Sequence, residues 1–193
     1  HSSNRRQRQM CIRDSCQYCD TEYAFTGGQW NSFKDILELV DSYQVRHVCV
    51  TGGEPLAQKR CHDLLAQLCD RDYSVSLETS GALSIENVDP RVNIVMDIKT
   101  PDSNESDKQL WENLKYIKPS DQLKFVICSH TDFVWAANQV LERQLHQQAQ
   151  VLFSPSYEQV AARDLAQWIL SAHLPVRFQM QLHKQLWGEE PGR

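Results

Sequence analysis

The chain has 193 residues, 41% of them hydrophobic and 23% charged, with 7 Gly and 7 Pro. That fits one soluble globular domain with its own core and excludes disordered, collagen-like and coiled-coil classes. The formal charge, 20 − 25 = −5, argues against nucleic acid as the main partner. No apolar run approaches the roughly 18 residues of a membrane span, and no apolar stretch follows the basic start, so the expectation is a cytoplasmic chain without membrane attachment.

The charge is uneven along the chain. Arg5, Arg6, Arg8 and Arg13 against Asp14 give 4 − 1 = +3 over the first fifteen residues, leaving −5 − 3 = −8 for the rest. Residues 1–15 show neither helical nor strand periodicity and read as a non-native or disordered head; a basic arm for RNA is the other reading. Residues 16–193 form the expected single core domain. The native sequence is expected to begin at about Ser15 or Cys16, with the first barrel strand missing.

From there the pattern alternates. Ser32 caps a helix to Tyr43 with Phe33, Ile36, Leu37 and Val40 at helical spacing, followed by a short buried strand, HVCVT, ending at Thr51. A helix over 57–72 precedes strands SVSLE, ending at Glu78, and IVMDI, ending at Ile98. Then come a helix over 107–118, strand QLKFVIC to Cys128, a helix over 132–147, strand QVLFS to Ser154, a helix over 159–172 and strand VRFQMQL over 176–182. This predicts an α/β fold with about six parallel strands, and ligand chemistry past their carboxyl ends whether the sheet is open or curled into a barrel.

Those ends read Thr51-Gly52-Gly53-Glu54-Pro55, Glu78-Thr79-Ser80-Gly81, Asp97-Ile98-Lys99, Cys128-Ser129-His130, Ser154-Pro155-Ser156 and Gln181-Leu182-His183-Lys184. Any one is an ordinary polar loop. Together they suggest one polar site, in which paired glycines leave backbone amides free for carboxylate or ribose oxygens and Glu54 offers an acceptor for an ammonium group.

Seven cysteines without a signal peptide do not form a disulfide framework. Cys16-Gln17-Tyr18-Cys19 places two thiolates at a spacing that suits zinc or an iron–sulfur cluster. Cys49, Cys61, Cys69 and Cys128 supply no second pair and read as packing residues.

Cys16-x-x-Cys19-Asp20-Thr21, VTGGEPL at 50–56, SLETSG at 76–81, DIKTP at 97–101 and QLHKQLWGEEPG at 181–192 together resemble the radical S-adenosylmethionine (SAM) enzymes. Within these they are most similar to the 7-carboxy-7-deazaguanine synthases of queuosine biosynthesis. The resemblance implies a partial (β/α) barrel, a [4Fe–4S] cluster, SAM and Mg2+. It implies a 5′-deoxyadenosyl radical that takes a hydrogen from C6 of 6-carboxy-5,6,7,8-tetrahydropterin, whose ring then contracts with loss of ammonia. It assigns Cys16 and Cys19 to the cluster and Thr21 to Mg2+. Gly53, Asp97, Ile98, Lys99, Ser154, Pro155, Ser156 and Tyr157 fall to SAM, and Thr51 and Pro191 to the substrate, with Lys99, His183 and Lys184 available to carboxylates. A flavodoxin or ferredoxin electron donor and a homodimer belong to the same implication. A free pterin requires no RNA-binding face.

The sequence departs from this pattern at one point. The family spacing is Cys-x3-Cys-x2-Cys, in some members with a longer first gap, whereas Cys11-x4-Cys16-x2-Cys19 fits neither form, and Cys11 lies in the unpatterned head. A glycyl-radical activating enzyme shares GGEP but not the CDT and C-terminal segments; a zinc-stabilised binding module would use Cys16 and Cys19 structurally. Because two thiolates hold a cluster poorly, anaerobic reconstitution of this polypeptide is expected to leave it far short of the about four iron atoms of one cluster. A near-full complement that depends on Cys11 contradicts that expectation.

Overall fold

The computed structural model describes residues 31–182 together with Leu186 and Gly188. The order is α1 (Phe33–Ser42), β1 (His47–Val50), α2 (Cys61–Asp70), β2 (Ser74–Thr79), β3 (Asn93–Asp97), β4 (Gln122–Ile127), α3 (His130–Glu142), α4 (Leu145–Gln148), β5 (Gln150–Pro155), α5 (Ala162–Ser171) and β6 (Arg177–Phe178). All six strands are parallel, and their spatial order repeats their sequence order. This is the winding of a partial barrel. A doubly wound sheet would reverse its strand order, and the crevice at that reversal would be the ligand site.

The register divides the sheet into two unlike faces. One carries Val48, Val50, Val75, Leu77, Ile94, Met96, Leu123, Phe125, Ile127, Val151, Phe153 and Phe178, which pack into one core with Leu37 of α1, Leu65 and Leu68 of α2, Phe133, Ala136 and Val140 of α3, and Leu165 and Ile169 of α5. The helices therefore share one face. Phe153 stacks edge-on with Phe125 at 5.3 Å and Phe133 at 6.1 Å, joining β4, β5 and α3. The other face carries Cys49, Ser76, Glu78, Asp97, Lys124 and Ser154; its Val126 and Leu152 are buried but lie outside the helix-side core.

Caps and tertiary ties set the helix limits. Ser32 accepts the Asp35 N–H at 3.1 Å while Asp35 accepts the Ser32 N–H, a reciprocal capping box at α1. Ser129 caps α3 by accepting the Asp132 N–H at 3.1 Å, so that helix starts two residues before the expected 132. It stops at Glu142 because Gln144 adopts φ +53, and residues expected to continue it form the separate α4.

Three further expectations are corrected. The helix over 107–118 is instead two 3-10 turns, Ser106–Lys108 and Trp111–Tyr116. There the buried Asn113 donates to the Gly81 and Leu83 carbonyls and accepts the Ile85 N–H, and the Leu110 N–H bonds to the Gly81 carbonyl. These tertiary bonds hold the segment against the loop after β2 and override its helical spacing. α2 begins at Cys61, not 57, because Pro55–Ala57 forms its own 3-10 turn. β6 pairs only at Arg177–Phe178, where 176–182 was expected.

Gly81 adopts φ +69, and a Cβ there would strike the Gln109 amide and lie 2.9 Å from the Met96 side chain. Gly81→Ala is expected to cost about 1–3 kcal/mol in urea unfolding; an unchanged midpoint contradicts the contact.

Candidate active site

The carboxyl ends of parallel strands share one edge of the sheet, so Thr51 and Gly53 after β1, Asp97–Lys99 at β3 and Ser154–Tyr157 at β5 lie along the same rim. Thr51 is exposed, and its hydroxyl donates to Glu78 Oε2 at 3.4 Å. Gly52, at φ +143, has open space where a Cβ would stand. A glycine is favoured there by backbone conformation, and the adjoining Gly53 is exposed.

Glu54 is not the ammonium acceptor expected from its position. It is 2% exposed, and its carboxylate accepts from the Leu56 N–H at 3.1 Å, the Thr79 hydroxyl at 2.9 Å, the Ser80 N–H at 2.8 Å and the Ser80 hydroxyl. Leu56 N–H belongs to the turn after the glycines; Thr79 and Ser80 end β2. One carboxylate thus clamps the loop after β1 to the end of the next strand and fixes where the glycine backbone points.

A second buried carboxylate repeats this device. Asp132, fully buried at the start of α3, accepts the Thr100 hydroxyl at 2.7 Å and the N–H groups of Asp102 at 3.1 Å and Cys128 at 3.2 Å. It ties the DIKTP loop to the end of β4. On that loop the Lys99 ammonium pairs with Asp97 at 2.6 Å. Ile98 is fully buried in the helix-side core, so only its backbone can face a ligand, and its N–H bonds to the Lys124 carbonyl at 2.7 Å. At β5, the Ser156 N–H donates to the Ile127 carbonyl at 2.8 Å, and Tyr157 is exposed. Ser154 is 1% exposed, yet its hydroxyl has no hydrogen-bond partner among the described residues. A buried hydroxyl left unsatisfied at a rim of polar loops suits a polar ligand group.

The described cysteines divide differently from expectation. Cys61 and Cys69 are buried core residues, but Cys49 is exposed on the polar face and Cys128 half-buried at the end of β4. Burial raises all four thiols, Cys61 to about 11 and Cys128 to about 12. Among the described residues no group of three or more His, Cys, Asp or Glu side chains is arranged to hold a metal. Cys11, Cys16, Cys19, Thr21, His183, Lys184 and Pro191 lie outside the described residues. No described helix is long and apolar enough to cross a membrane.

The residue pattern locates the polar strand ends but gives no sign of either carboxylate clamp. Apart from Leu56 and Cys128, the partners of Glu54 and Asp132 stand 25–32 residues away, with no local signal to name them. The alternation in SVSLET and NIVMD was the available sign of a polar face. Glu54→Gln sets an amide donor against existing donors and is expected to cost about 2–3 kcal/mol in urea unfolding. A loss below about 0.5 kcal/mol, the size of an ordinary surface substitution, contradicts the clamp.

Comparison with known proteins agrees with this arrangement. The radical SAM superfamily profile matches residues 9–124. The chain is 38% identical over 178 residues to a 7-carboxy-7-deazaguanine synthase from Chlorobaculum tepidum, covering 91% of this chain and 81% of that one. It is 34% identical to the synthase named from Koribacter versatilis, covering 91% and 84%, and 33% identical to that from Thermoplasma acidophilum, covering 92% and 84%. In fold it is similar to Streptococcus suis SuiB. The SAM-bound structure of that protein superimposes with a TM-score of 0.61 at 14% identity, and a structure with its precursor peptide SuiA with 0.65 at 14%. The chain spans 91% and 90% of its own length in these superpositions and about half of SuiB, 49% and 47%. Membership of the superfamily implies a [4Fe–4S] cluster and SAM as cofactors. From the strand-end motifs, the barrel winding and this identity over four-fifths of the relatives' length, the chain belongs to the 7-carboxy-7-deazaguanine synthase family of radical SAM enzymes.

Proposed function

We propose that this chain converts 6-carboxy-5,6,7,8-tetrahydropterin to 7-carboxy-7-deazaguanine with loss of ammonia, a carbon–nitrogen lyase reaction in a cytoplasmic 7-deazapurine pathway. The observation that carries the reading is the 38% identity to the Chlorobaculum tepidum synthase along 91% of the chain. It is supported by a rim with an unsatisfied buried hydroxyl, free glycine backbone and charged side chains.

When bound, the cluster and SAM supply radical chemistry that the protein's own side chains lack. The chain's residues bind and orient. The backbone at Gly53 holds the methionyl part of SAM, at a position set by the Glu54 clamp. Asp97, the Ile98 backbone, Lys99, Ser154, Pro155, Ser156 and Tyr157 would hold the adenosyl part. The Ser154 hydroxyl then gains the hydrogen bond it lacks within the described protein. Thr51 contacts the pterin. Cys16 and Cys19 ligate the cluster, with Cys11 the remaining upstream thiol, and Thr21 donates an oxygen to Mg2+, a hard cation suited to few protein ligands. Pro191 closes over the substrate. A flavodoxin or ferredoxin delivers the electron, and the working unit is a homodimer.

With a Cys-x3-Cys-x2-Cys segment in place of Cys11-x4-Cys16-x2-Cys19, anaerobic incubation of the reconstituted protein with SAM, reductant and the carboxylated pterin is expected to yield 7-carboxy-7-deazaguanine by mass spectrometry. 5′-Deoxyadenosine without the deazapurine keeps the superfamily and rejects this substrate.

A further inference from the structure

Three of the described lysines are not fully exposed: Lys99, Lys118 and Lys124. Lys99 is neutralised by Asp97 at 2.6 Å. Lys118 stands 3.6 Å from Asp121 and donates to the Pro90 and Val92 carbonyls at 2.9 and 2.5 Å. Lys124, at the same intermediate burial, makes no ion pair or side-chain hydrogen bond with any described residue. A partly buried ammonium loses hydration, and a partner of opposite charge normally makes up the loss.

Its place on the sheet shows where such a partner would come from. Lys124 lies in register with Asp97 of β3 on one side and Leu152 of β5 on the other, on the polar face. Cys49 of β1 and Ser76 and Glu78 of β2 stand on that same face. Asp97 pairs with Lys99. Lys124 and Glu78 remain as opposite charges that form no ion pair with each other, and Glu78 already accepts the Thr51 hydroxyl.

We propose that the Lys124 ammonium is the counter-charge for a ligand carboxylate held over the polar face. The inference rests on the functional reading above, because both reactants carry such a group: the methionyl carboxylate of SAM and the carboxylate on C6 of the pterin. Neither clamp serves this role, since Glu54 and Asp132 are themselves anions with their oxygens engaged.

The test is equilibrium binding under anaerobic conditions, normalised to cluster content, for the parent, Lys124→Met and Lys124→Arg. The probes are SAM, decarboxylated SAM, the carboxylated tetrahydropterin and the same pterin without its carboxylate. Lys124→Met is expected to weaken one of the two carboxylated ligands by about 10- to 100-fold and to leave its decarboxylated counterpart unchanged. Lys124→Arg recovers part of the loss, and both variants melt as the parent does. The ligand that weakens identifies which carboxylate Lys124 meets. Parent-like affinity of Lys124→Met for both carboxylated ligands overturns the proposal, as does an equal loss for carboxylated and decarboxylated forms. Deazapurine formation by the parent is read separately, so the role of Lys124 can fail while the functional reading stands.

Discussion

A parallel strand presents alternate residues to opposite faces, and in this chain the two sets have opposite chemistry. Val75, Leu77, Ile94, Met96, Leu123, Phe125 and Phe153 meet helices; Ser76, Glu78, Asp97, Lys124 and Ser154 do not. A one-residue slip of any strand would bury charge against the helices and expose core. Register is therefore held strongly, and the same alternation that builds the core places the reactive rim and the charged face together. Stability and site geometry follow from one constraint.

The rim itself is set by two buried carboxylates. Glu54 and Asp132 each gather donors from two separate loops, and their burial makes these bonds worth more than surface pairs such as Lys34–Glu38, which stand largely in water. This gives a glutamate directly after two glycines a structural reason: it fixes the direction of the glycine backbone. Thr79 and Ser80, within the ETSG segment, are the other half of that clamp.

Much of this was legible in the residues. Six strands, their parallel order and the rim at their carboxyl ends follow from alternating periodicities and turn signals, and four helices lie near where apolar spacing, with the Ser32 cap at the first, placed them. Illegible parts depend on partners distant in sequence. Asn113 looks like an ordinary residue of an amphipathic helix until the loop after β2 offers it two carbonyls and an N–H. Cys49 looks like core because HVCV is an apolar run, yet its neighbour across the sheet is Ser76 and its face is the polar one. Lys124, inside LKFVI, reads as an ordinary strand residue until its register with Asp97 places it on the polar face.

On the proposed function, ligands lie over the polar face at the carboxyl-end rim and the helix face is structural. An anaerobic crystal structure of the reconstituted protein with SAM and the carboxylated pterin tests it most directly. The account predicts ligand density against Gly53, Asp97–Lys99 and Ser154–Tyr157, with a carboxylate within hydrogen-bonding distance of the Lys124 ammonium. Ligands at the amino ends of the strands, or between the sheet and its helices, would contradict it.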